Sequence, residues 1–172
     1  QDDVIKLAGV GSGTPVIAPS SYGWPMHFGS IRTSQSPLEL DIDTITVLTL
    51  DSNFGIIRSE LSSILDGHDF IDANSGFRPL GVGDSYTLRV DFNVVPAQIG
   101  GTLLVELDIG GTFGTISSYT QTLNVESGNI QKISLSIPIY TLDTFLLNGG
   151  KFFVTSTVIA DIFDISFFVR PE

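Results

Sequence analysis

From residue 41 onward the chain repeats one device: apolar side chains at every second position, broken by glycine-rich turns. The clearest case is Tyr86, Leu88, Val90, Phe92 and Val94, set against Thr87, Arg89, Asp91 and Asn93. Side chains alternate faces along a strand, so this segment has one dry face and one wet face. Leu103, Val105, Leu107 and Ile109 repeat the pattern with Glu106 and Asp108 outward, and Ile133, Leu135, Ile137 and Ile139 repeat it against Ser134 and Ser136. Strands of this kind build antiparallel sheets covered on one side. Pro138 stands at an outward position, which places the end of its strand at a sheet edge.

Two later segments are apolar on both faces: Phe152–Ile159 and Phe163–Val169. An early strand carries Ile45 and Val47 on one face and Leu48 and Leu50 on the other. Phe153, Ile159 and Phe168 fall on what should be the solvent side, and surplus outward apolar residues indicate a second burial partner. We assign these three residues to a subunit interface, the alternative being cover by the N-terminal residues 1–40. Gly100-Gly101, Gly110-Gly111 and Asn148-Gly149-Gly150 supply tight turns, and Ser59–Leu65 is a helical candidate with Gly67 as its stop. About eight strands and one longer connection, residues 53–83, predict an all-β fold: a two-sheet antiparallel β-sandwich of the jelly-roll kind.

Residues 1–40 have a different texture. Gly9, Gly11, Gly13, Pro15, Pro19, Gly23, Pro25 and Pro37 punctuate a stretch with no sustained period, which predicts an extended N-terminal arm ahead of a sandwich domain at 41–172. Tyr22, Trp24, Met26 and Phe28 cluster within it. Such rings either cover the base of the body or anchor on another protein, and Tyr22, Trp24 and Phe28 are the expected partner-binding anchors.

Charge removes several function classes. Eight basic residues face nineteen acidic ones, for a net charge of −11. Phosphate neutralisation needs clustered Lys and Arg, so neither nucleic acid nor an anionic membrane surface is expected as a partner. No apolar run approaches the roughly 18 residues of a membrane helix. The chain has no cysteine, which excludes disulfides, thiolate metal sites and cysteine nucleophiles.

The remaining chemistry is sparse. His68 lies between Asp66 and Asp69, but no Gly-x-Ser-x-Gly elbow accompanies it, and a solvated loop histidine is the simpler reading. Glu106 and Asp108 share a strand face about 7 Å apart by strand rise, a spacing that alternation produces by default. Asp66, Asp69 and Asp72 offer hard oxygen ligands for calcium, at a spacing that does not match an EF-hand loop. No catalytic residue, cofactor or metal is assigned.

Three stretches carry a resemblance: Leu107–Gly114; Ile137–Tyr140 followed by Phe145–Phe152; and Asp161–Arg170. Together they resemble the C-terminal part of small jelly-roll virion proteins of tailed bacteriophages. The resemblance implies a non-enzymatic particle component found in the virion, either a capsid decoration or cement protein or a fibre knob. It further implies a homotrimer whose arm grips a major capsid or tail protein. The family pattern has no active-site residues to transfer. The alternative is a carbohydrate-binding or host-receptor-binding tip that takes a host glycan on loops near Tyr119 or residues 66–77.

Overall fold

The computed structural model describes residues 24–50, 55–59 and 67–172. They form two antiparallel sheets packed face to face. The strands are β1 (Trp24–Phe28), β2 (Leu38–Leu40), β3 (Thr46–Val47), β4 (Gly55–Ser59), β5 (Ser85–Pro96), β6 (Thr102–Asp108), β7 (Thr115–Thr122), β8 (Gln131–Tyr140), β9 (Lys151–Ser156) and β10 (Ala160–Pro171), with one short helix, α1 (Asp143–Asn148). The larger sheet runs β4-β1-β10-β5-β8 with β2 also on β10, and the smaller runs β3-β9-β6-β7.

The alternating segments form the strands their period predicts. The inward residues of β5 pack with Leu103, Val105 and Leu107 of β6, Ile133 and Leu135 of β8, and Phe152 and Val154 of β9 in one core. Phe152 of the smaller sheet stacks on Phe167 of the larger, with ring centroids 5.6 Å apart, and so ties the layers together. Pro138 does sit on an edge strand, since among the described residues β8 ends the larger sheet.

β10 is the hub of the larger sheet. Its first residues, Ala160–Ile162, pair with β2, and Met26–Phe28 of β1 pair with Ser166–Phe168 further along the same edge. Between them the register shifts, and Asp164 adopts a positive φ of 53°. The chain between β1 and β2 detours around this bulge: Gly29 N–H donates to the Ile165 carbonyl, and Asp164 N–H to that of Arg32.

The described part of the expected arm therefore belongs to the sandwich: residues 24–40 supply β1 and β2, and the body begins before residue 41. In β1 the inward, fully covered positions are Pro25 and His27, while Trp24, Met26 and Phe28 point outward. The alternation is real but its hydropathy is inverted, which hides the strand from a search for apolar periodicity. Residues 1–23, Tyr22 included, and the helical candidate from residue 60 to 65 lie outside the described residues; Ser59 closes β4.

Helix α1 was not expected from the sequence. It is closed by Gly149, whose φ is 71° and whose N–H returns to the Phe145 carbonyl. A Cβ there would stand 2.6 Å from the Phe77 carbonyl oxygen, so both backbone shape and space demand glycine.

Candidate interaction surface

At one end of the sandwich the loop of residues 67–84 folds over the strand ends and supports α1. Phe70, Phe77, Tyr86 and Phe145 form an aromatic cluster, with Phe77 packing edge-on against Tyr86 at 5.3 Å and Phe145 at 5.6 Å. Phe77 also bridges to Gly150 through backbone hydrogen bonds. The Tyr86 hydroxyl accepts the Leu80 N–H and donates to Asp84 Oδ2, both at 3.0 Å. Burial and the neighbouring Asp84 carboxylate push the Tyr86 pKa up to about 12, against the opposing pull of the Leu80 N–H.

Asp72 organises the tip of this loop. Its Oδ1 accepts the N–H groups of Asn74 and Gly76, each at 2.8 Å, and its Oδ2 accepts from Arg78 Nε at 2.8 Å. Arg78 Nη1 reaches on to the carbonyl of Asn148, the last residue of α1. Burial alone would raise the Asp72 pKa. The hydrogen bonds from Gly76, Arg78 and Asn74, with the charge of Arg78, more than reverse this and hold the carboxyl below its ordinary range.

Asp72 spends its oxygens on its own turn and on Arg78, Asp66 lies outside the described residues, and no group of three or more potential metal ligands occurs among the described residues. His68 places Nε2 2.8 Å from the Arg78 carbonyl and packs edge-on against Phe70, which is a structural role. Glu106 lies opposite Phe153 and Ser118 on the outer face of the smaller sheet, and Asp108 Oδ1 accepts the Gly110 N–H of its own turn.

This end presents several apolar side chains to solvent. α1 buries Phe145 and leaves Leu146 and Leu147 exposed, Leu147 by 81%, with Leu142 at its N-cap exposed as well. The loop at 80–84 joins the same end: Gly83 N–H donates to the Thr141 carbonyl, and Thr141 N–H to that of Asp84. This brings exposed Val82 and Tyr140 into the neighbourhood. On the other flank Gly110 and Gly111 rest against Asn148 and Thr144, and their loop carries Phe113, 66% exposed. Three chain segments, each carrying exposed apolar residues, thus meet around a six-residue helix. Its signal in the sequence is Leu142, Leu146 and Leu147 in a short segment with a single inward position, a period too brief to read.

The residues assigned to interfaces from the sequence do not gather there. Phe153 lies half-buried on the outer face of the smaller sheet, Phe168 on the outer face of the larger one, and Ile159 in the turn between β9 and β10 at the opposite end. They belong to three separate surfaces, so no single flat contact uses all of them. Phe168 is also covered within its own chain: Trp24 packs on it at 5.5 Å, and the Arg89 guanidinium lies 4.0 Å above its ring. Asp91 holds Arg89 through Nε and Nη2. Phe28 lays its ring over Gly55 of the neighbouring β4, where a Cβ would stand 2.3 Å from Phe28 Cζ. Trp24 keeps an exposed edge.

A second feature is an open cleft of about 560 Å³ lined by Ile31, Arg32, Val47, Thr49, Leu50 and Lys151, among others. It mixes apolar walls with two cations, and Arg32 is tied by Nη1 to the Pro37 carbonyl.

No family model matches this sequence, and no curated protein is significantly similar to it. Among solved structures, the Eiger TNF of S. frugiperda superposes with a TM-score of 0.51 over 87% of this chain and 93% of that one, at 8% identity. The fold is a jelly roll. At that identity the likeness is one of fold alone. Looser likenesses, below the level at which a shared fold follows, are to Broad Bean Stain Virus (TM-score 0.31, 10% identity, 93% of this chain and 90% of that one) and to the empty particle of Cowpea Mosaic Virus (0.32, 14%, 90% and 74%).

Proposed function

We propose that this chain is a non-enzymatic structural component of a virus particle, of the decoration or cement kind, whose copies associate through the apolar end around α1. The observation that carries the reading is the exposure of Leu142, Leu146 and Leu147 beside Tyr140, Val82 and Phe113. Large apolar side chains gathered in the open at one end of a domain mark a protein contact. Residues 145–152 belong to the stretches that resemble phage virion proteins, which supports the same assignment. The assembly is a homotrimer, docked on a major capsid or tail protein of the virion. A net charge of −11 keeps the remaining surface soluble.

The test is the mass of the purified chain by light scattering, for wild type and for Leu142→Glu/Leu147→Glu. Wild type at three times 18.5 kDa or a multiple of it, with a variant of smaller mass that keeps the wild-type far-UV circular dichroism, is the expected result. A wild-type monomer at all concentrations, or a variant of unaltered mass, overturns the reading.

One observation favours a second reading, a tip that binds host glycan: the exposed Trp24 edge lies near the Arg89–Asp91 pair, an aromatic face with hydrogen-bonding groups beside it. A glycan array with wild type and Trp24→Ala tests it; binding that survives the substitution removes Trp24 from the account.

A further inference from the structure

β7 ends the smaller sheet, and among the described residues it pairs with β6 alone. Edge strands expose unpaired N–H and C=O groups, and proteins guard them with charge, proline, bulges or brevity. The other edges here are guarded. β8 carries Lys132 and Pro138, β3 is two residues long, and β4 has only five residues. β7 has eight residues, Thr-Ile-Ser-Ser-Tyr-Thr-Gln-Thr, with no charge, proline or glycine, and its one irregularity lies at Ile116, which leaves the six residues from Ser117 to Thr122 unguarded. In a chain of net charge −11, it is a strip along which two copies meet without opposing carboxylates.

We propose that β7 is a homotypic pairing edge, on which two copies join their smaller sheets antiparallel about a two-fold axis at Tyr119. In such a pair the faces match only if the paired residue numbers sum to an even value, because side chains alternate. The stretch from Ser117 to Thr122 pairs regularly with Leu107 to Thr102, and the register shifts before it. A two-fold at Tyr119 keeps Ser117–Gln121 within that regular stretch. It sets Ser118 opposite Thr120 of the second copy, Ser117 opposite Gln121, and Tyr119 opposite its own counterpart. Tyr119 lies across from core-facing Val105 yet is 42% exposed, so its ring is available for an aromatic cross-strand pair. The contact is isologous and closes on itself. It is separate from the α1 end and does not depend on the assignment made there.

The chain has no cysteine, so Tyr119→Cys reports the axis directly. Directly opposed antiparallel residues have Cα atoms about 4.5–5.5 Å apart, within the span of a disulfide. Mild oxidation of the full chain is expected to give a covalent dimer with Tyr119→Cys and none with Ser136→Cys, an exposed position on β8. In a Leu142→Glu/Leu147→Glu background, which silences the α1 end, Ser118→Lys/Thr120→Lys and Ser118→Glu/Thr120→Glu are each expected to associate at least tenfold more weakly than the parent. An equimolar mixture of the two should recover a dimer. Unchanged melting temperatures establish that the variants fold. Cross-linking of Tyr119→Cys no greater than that of Ser136→Cys, undiminished self-association of either charged variant, or a mixture that stays monomeric overturns the proposal. The first of these results means that another segment covers β7.

Discussion

Asp72 binds Arg78 through two guanidinium nitrogens, Nε and Nη2, each 2.8 Å from the same Oδ2. Because Arg78 also reaches the last carbonyl of α1, this pair links the tip of the 67–84 loop to the helix that carries the apolar end.

Asp72→Asn should cost about 1 kcal/mol at pH 7, because Arg78 is 41% exposed and the pair is partly screened, while two backbone N–H groups lose a charged acceptor. The folded-state pKa of Asp72 is depressed, so its contribution is present above the ordinary value of 3.8 and is lost as pH falls through the folded value. Urea unfolding of wild type and variant at pH 7 and near pH 2.5 checks this. The stability gap should shrink in acid, and a constant gap removes the carboxylate as its cause.

Tyr86→Phe leaves the Leu80 N–H and Asp84 without their shared hydroxyl and should cost about 1–2 kcal/mol. The folded-state pKa is raised, so the stability held by the neutral phenol is intact below pH 10 and lost as pH rises to about 12. Thermal melts across that range should show a steeper alkaline decline for wild type than for the variant.

Gly149→Ala forces a Cβ against the Phe77 carbonyl oxygen at a backbone position that only glycine adopts without strain. A loss of more than about 2 kcal/mol is expected, since strain of this kind alone costs about 1–3 kcal/mol. Gly55→Ala should cost less, because the clashing group is the half-exposed ring of Phe28, which can rotate away, rather than fixed backbone. Equal losses in chemical denaturation would contradict this ordering.

Phe152→Ala opens a cavity where the two sheets are tied together and should cost about 3–5 kcal/mol. Leu147→Ala, at an 81% exposed site, should leave stability within about 0.5 kcal/mol. Similar losses at both positions would mean that Leu147 is covered in the folded monomer.

The sandwich was legible where hydropathy and strand period coincide. β5, β6 and β8 each bury one face, so Leu88, Leu103 and Leu135 announce their direction in the sequence. The pattern fails where the inward residue is not apolar. β1 buries Pro25 and His27 and turns Trp24 and Phe28 outward, and the result looks like an arm with aromatic anchors. It fails again at α1, where six residues with one buried position are too few to show a helical period. The position of the three interface candidates was illegible for a related reason. Phe153 and Phe168 are both outward-facing, but a sequence does not tell which sheet an outward residue leaves, and these two leave opposite ones. The apolar end around α1 depends on the convergence of residues 80–84, 110–114 and 140–148, a proximity set by tertiary packing alone.

The central position of β10 governs the order in which the molecule can be assembled. Until Ala160–Pro171 leaves the ribosome, β5 and β1 have no common neighbour, and β1, which can already pair with β4, waits for its second neighbour at Ser166–Phe168. The amphipathic strands made earlier must stay soluble without their central template. Folding is therefore of high contact order, slow by its topology and exposed to premature pairing by whichever strands emerge first.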